Sequence, residues 1–125
     1  LNRPEQALQR AVVEYLAILE RQGRLMFYAI PNGGKRSRVE AAIFKGQGVR
    51  AGMPDIGMVL PGGKAAFIEL KSPGRPATKN QVHTIFRLQD HRALCAICDS
   101  LEAVQGTLDA WLGPIDRQGA ARRVA

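Results

Sequence analysis

The sequence predicts an α/β fold, a central mixed sheet of about four strands flanked by helices. Three observations predict it. Segments with apolar residues at helical spacing alternate with apolar runs too short for helices. Two of those runs, residues 56–60 and 65–71, are separated by little more than Pro61-Gly62-Gly63, a hairpin signal. The chain has 125 residues and is 46% apolar, enough for one domain with its own core.

Residues 4 to about 22 form the first expected helix. Leu8, Ala11, Val12, Tyr15, Leu16 and Leu19 keep the helical period, and Gly23 ends it. Glu5 shares the side of Leu8 and Val12, Gln9 lies at its edge, and Glu14 and Arg21 lie opposite. Glu5 is then either an acid facing a site or a first-turn acid favoured by the helix dipole. Glu14 is expected in solvent.

Residues 25–30 read as a strand, and Pro31-Asn32-Gly33-Gly34 as a turn. Lys35-Arg36-Ser37-Arg38 follows, the densest basic cluster. Residues 39–47 read as a short helix with Ala42 and Ile43 inward. A basic loop beside a glycine-rich turn approaches phosphates closely, or is merely solvated. With Lys45 and, in a later loop, Arg75, these cations are the candidate nucleic-acid contacts.

In the hairpin, pairing Leu60 with Lys64 sets Asp55 opposite Glu69. Residues so paired have Cβ atoms roughly 4.5–5.5 Å apart, and like charges there repel. A cation between them removes the conflict. Lys71 falls on the face of Glu69 because strand side chains alternate. Two carboxylates and an ammonium on one patch outline a metal-dependent hydrolytic site, to which the Leu70 carbonyl adds an oxygen donor.

Thr78 caps a helix expected to run to about residue 91, with Val82, Ile85, Phe86 and Leu88 inward. Gln81 shares that stripe, where it closes a core contact or faces the patch. Neither His83 nor His91 is assigned catalysis. Residues 93–98 read as a buried strand. Its Cys95 and Cys98, three apart, point to opposite faces, share no metal, and are expected in the core. Ser100 caps a last helix, residues 101–112, with Val104, Leu108 and Trp111 inward, and Gly113-Pro114 stops it. The domain is thus expected over residues 1–113, with 114–125 a basic, mobile tail.

Eighteen Lys and Arg against eleven Asp and Glu give a net charge of +7. Such a balance suits a polyanionic partner, nucleic acid above all. No apolar run approaches the ~18 residues of a membrane span. No signal peptide is visible. The expected location is cytoplasmic, in a bacterial or phage-infected cell. Serine-hydrolase, P-loop, zincin and dinucleotide-binding motifs do not occur.

Pro54-Asp55, thirteen residues, then Glu69-Leu70-Lys71 resembles the PD-(D/E)XK nuclease signature. With Glu5 and Gln9, Ile30-Pro31-Asn32-Gly33, Gly52-Met53 and Gln81, residues 4–112 resemble the VRR-NUC (virus-type replication-repair nuclease) family. The resemblance implies a restriction-endonuclease-like core. It implies that Asp55, Glu69 and the Leu70 carbonyl bind Mg²⁺ or Mn²⁺, with Glu5 as an additional acid. It makes Lys71 catalytic and Gln81 an active-site polar residue. The implied activity is a structure-selective DNA endonuclease similar to Holliday junction resolvases, acting as a homodimer on branched DNA. The tail, Trp111 and the last helix are the interface candidates. Two alternatives stand beside it: a non-catalytic nucleic-acid-binding module on this fold, and a nicking or restriction-type enzyme on ordinary duplex.

Overall fold

A computed structural model describes residues 3–31 and 36–113. Lys35, most of the Pro31–Gly34 turn and the basic tail from residue 114 lie outside the described residues.

Helix α1 spans Arg3–Arg21, with Glu5 in its first turn and Arg21 in its last, both favoured by the helix dipole. Val12, Leu16 and Leu19 form its buried stripe. Gly23, at φ 74°, turns the chain out of the helix. Strand β1, Met26–Ala29, follows. Helix α2, Arg38–Gly46, is capped by Ser37, whose hydroxyl accepts from the Glu40 N–H. Strands β2, Ile56–Leu60, and β3, Lys64–Leu70, are joined by a tight 3₁₀ turn over Pro61–Gly63. Helix α3, Lys79–Asp90, leads to strand β4, Leu94–Cys98, and Ser100 caps helix α4, Leu101–Leu112.

The sheet has the order β1-β2-β3-β4. The first two pairings are antiparallel and β3 pairs with β4 in parallel, so α3 serves as the crossover. The expected mixed four-stranded sheet is present, in the expected element order. Ile56, Met58, Leu60, Ala66, Ile68 and Leu70 all face one side, following the period of two. They pack with Val12, Leu16 and Leu19 of α1 and Val104, Leu108 and Leu112 of α4. The intervening positions, Gly57, Phe67 and Glu69, face the opposite side.

Several expectations need correction. No residue of α2 is buried: Ala42 is exposed and Ile43 is 54% exposed. Periodicity shows that α2 has an apolar stripe, but none of the described elements buries it. On α3 only Ile85 is buried, and Phe86 is 61% exposed because it sits one step past the contact face. β4 is a sheet edge rather than a buried strand, so Ile97 is exposed and Cys95 only half-buried, while Cys98 joins the core. On α4, as expected, Val104 and Leu108 are buried in the core and Trp111 packs against it.

Candidate active site

Asp55 stands at the head of β2. The chain reaches it through Gly52, at φ 80°, where backbone and Asn80 come into close contact. A Cβ on Gly52 would lie 2.7 Å from Asn80 Nδ2 and 3.1 Å from the Asn80 carbonyl oxygen. Two hydrogen bonds then pin Asp55 between its neighbours. Its backbone carbonyl accepts from the Ile30 N–H at 2.8 Å, just beyond β1. Its Oδ2 accepts from the Leu70 N–H, also at 2.8 Å, at the end of β3.

The register runs Leu60 to Lys64 and Ile56 to Ile68, as the hairpin signal implies. One step further puts Asp55 across from Glu69. Glu69 is 1% exposed, and its pKa is pushed up to about 8. Burial is the largest cause, followed by the hydrogen bond and the charge of Asp55, with Lys71 acting in the other direction. Lys71 follows β3 directly. Its Nζ lies 3.5 Å from Glu69 Oε2, and its backbone N–H donates to the Cys98 carbonyl at 3.0 Å. Glu69 Oε1 is buried and has no hydrogen-bond donor among the described residues. Two ionised carboxylates cannot hydrogen-bond to each other, and a proton on the pair or a cation would satisfy that oxygen.

Glu5 is buried and close by. Its Oε1 accepts from the Ser72 N–H at 3.3 Å, next to Lys71. Among the described residues, however, no three His, Cys, Asp or Glu side chains come together in a metal-holding group. Glu5 is therefore brought to the end of β3 without forming a three-carboxylate cluster with Asp55 and Glu69. Glu14 is exposed, as its wheel position implies.

Gln81 is committed to another task. Its side-chain oxygen accepts from the Thr78 N–H at 2.9 Å, and the Thr78 hydroxyl accepts from the Gln81 N–H at 3.2 Å. This is a capping box, legible as Thr-x-x-Gln but masked by the inward stripe. His91 caps the same helix at its other end, its Nδ1 2.8 Å from the Arg87 carbonyl oxygen.

Beyond Lys71, the Ser72–Pro76 loop walls a cleft of about 510 Å³ with Ile97 and Asp99, and Arg75 lines it. Arg36, Arg38 and Lys45 lie together on or beside α2. Two residues escaped sequence reasoning. Tyr28 lies over Gly57, where a Cβ would come within 2.4 Å of its ring; a lone glycine inside a strand was the available signal. Arg24 is 2% exposed and donates to the Gly113 carbonyl at 2.7 Å, closing the end of α4. Nothing in its local sequence separates it from a solvated arginine.

The mixed sheet, with a carboxylate at the head of one hairpin arm and Glu-x-Lys ending the other, defines a nuclease-type α/β domain. Residues 2–102 match the family model of the VRR-NUC domain. The chain belongs to the VRR-NUC domain family. Two similar solved structures share its fold. One, a VRR_NUC domain, is 18% identical, with 88% of this chain and 99% of that chain covered and a TM-score of 0.63. The other, a VRR_NUC domain protein, is 20% identical, with 98% and 99% covered and a TM-score of 0.71. No curated protein matches the chain.

Proposed function

We propose that the chain is a divalent-metal-dependent endonuclease that hydrolyses DNA phosphodiester bonds, with branched DNA as its preferred substrate. The observation that carries the reading is the Asp55–Glu69 pair. Two hard oxygen donors face each other, Lys71 adjoins them, and one buried oxygen lacks a donor among the described residues. These residues fit Mg²⁺ or Mn²⁺, which take carboxylate and carbonyl oxygens.

Asp55 and Glu69 would hold the ion, together with the Leu70 carbonyl, and Glu5 would act from the Ser72 side. When bound, the ion lowers the pKa of a coordinated water and neutralises charge at the phosphorus. The chain's own groups do the rest. Leu70 N–H fixes one Asp55 oxygen, leaving the other for the site. Lys71 Nζ, tethered by Glu69, orients the attacking water or stabilises the negative charge of the transition state. Arg75 holds the phosphate backbone beside Lys71, and Arg36, Arg38 and Lys45 hold it further along.

A four-way junction, a flap and a linear duplex, each incubated with and without Mg²⁺ or Mn²⁺, test the reading. Metal-dependent cutting of the junction or flap ahead of linear duplex supports it. Equal cutting of linear duplex removes the branched-DNA preference. Binding without cutting in either metal makes the domain a non-catalytic module. A solution mass tests the homodimer that a two-fold junction would suit.

A further inference from the structure

A second feature lies outside the carboxylate site. Residues of α2 and of the segment that follows it, with Pro31 and Arg36, line an open cleft of about 530 Å³, within the usual range for a small-molecule site. Its walls include Arg36, Phe44, Lys45, Val49, Arg50 and Ala51. Three of these are cations, one is aromatic, and no acid among the described residues lines the cavity. The Arg36 guanidinium sits 4.4 Å from the centre of the Phe44 ring, so two flat groups are already stacked there.

We infer that this cavity holds one unpaired nucleotide of the substrate, its base against the Arg36–Phe44 stack and its phosphates on Lys45 and Arg50. The inference rests on the reading of the chain as a DNA-acting domain. The argument for a nucleotide is one of chemistry. Aromatic rings and guanidinium planes are the surfaces on which unpaired bases stack, and every base offers such a face. A base inside a duplex has both faces covered by its neighbours and cannot stack on a protein ring. The positive lining suits flanking phosphates.

Position supports the same occupant. The cavity is tied at both ends to the strand head bearing Asp55. Ile30, next to the lining residue Pro31, donates to the Asp55 carbonyl, and Ala51 precedes Asp55 by four residues. A nucleotide held there fixes the strand at a set reach from the carboxylates. Stability points the same way. Helix α2 has nine residues and none is buried, so core packing does not hold it. Its Ser37 cap and the Val49 N–H to Phe44 carbonyl bond at 2.9 Å are local. A base in the cavity gives the helix something to pack against.

The test is equilibrium binding by fluorescence anisotropy in EDTA, where cleavage plays no part. The probes are a short oligothymidylate, a flapped duplex and a blunt duplex. Phe44→Leu is expected to weaken the first two about tenfold or more, and the blunt duplex by less than about twofold. Phe44→Trp restores binding, because it restores the aromatic face, and Arg36→Lys falls between. Equal loss on all three probes, no loss on any, or loss with Phe44→Trp as deep as with Phe44→Leu overturns the inference. Wild-type protein supplies an independent check with 2-aminopurine placed at the unpaired position. Its emission is expected to change on binding, whereas the same base within the duplex stays unchanged; identical behaviour at both positions also overturns the inference. Failure of Asp55→Asn to stop cleavage would sink the proposed nuclease site and leave this result standing.

Discussion

At Glu69, burial and the Asp55 carboxylate both oppose ionisation, and Lys71 only partly offsets them. The consequence for stability has a definite sign. The folded carboxyl titrates near 8, well above its ordinary value of 4.5. Folded protein therefore holds a proton that the unfolded chain releases between those values, and metal-free stability falls as pH rises through that window. Thermal melts in EDTA from pH 5 to 8 should show a falling Tm in the wild type and a flatter profile in Glu69→Gln. A wild-type Tm that rises over this window would contradict the assignment. Added Mg²⁺ should reverse the trend, because a cation takes the proton's place. For catalysis, Asp55→Asn and Lys71→Ala should each lower cleavage on the order of a thousandfold while DNA binding changes little, read by single-turnover assay and anisotropy. The facing carboxylates were legible in the sequence because two rules suffice for them, the side-chain period of two and the short Pro-Gly-Gly turn. Arg24 was not, because its partner is a helix end distant in sequence; at Gln81 the Thr-x-x-Gln signal was present, but the inward stripe masked it.

Among the elements, those packed on the apolar face of the sheet were legible, and the burial of α2, α3 and β4 was in part misjudged. The stripe of α1 locates the core because strands cover it on the inner side. The stripe of α2 has the same periodicity, yet Val39 is 69% exposed and Ile43 is exposed as well. Periodicity identifies a face; only tertiary structure supplies what meets it. The same holds for Phe86 on α3. The Gly52 bend is the element that delivers Asp55 to the head of β2, and a side chain there is strained. Gly52→Ala combines a positive φ with a clash against Asn80. It should cost about 1–3 kcal/mol, read as a lower urea midpoint, and should depress cleavage further by displacing Asp55. An unchanged midpoint would mean that the bend relaxes freely.

Over the whole molecule, charge and architecture divide the work. The apolar face of the sheet is sealed by α1 and α4, while Asp55 and Glu69 belong to the opposite face. Among the described residues no helix is long and apolar enough to cross a membrane. The net charge of +7 includes two groups of cations: Arg75 lies beside Lys71, and Arg36, Arg38, Lys45 and Arg50 lie on or around α2. Neutralising Arg36, Arg38 and Lys45 together should reduce the slope of log affinity against log salt by about one unit for each phosphate they had neutralised. A slope that stays constant would leave those side chains solvated. The overall charge was legible from composition, but its division between two clefts was not, since that depends on which loops share an end of the sheet.

The two hydrogen bonds that pin Asp55 also set how long the site survives in time. Ile30 and Leu70 donate to it from the ends of the two strands beside β2, one bond to its backbone and one to its buried carboxylate. The amide hydrogen of Leu70, buried between β2 and β4, should therefore exchange slowly with deuterated solvent. The amide hydrogens of α2, held by local bonds alone, should exchange orders of magnitude faster. The chain would then keep a rigid clock at its carboxylates and a fast one at the helix beside them, with strand capture and bond cleavage running on separate timescales.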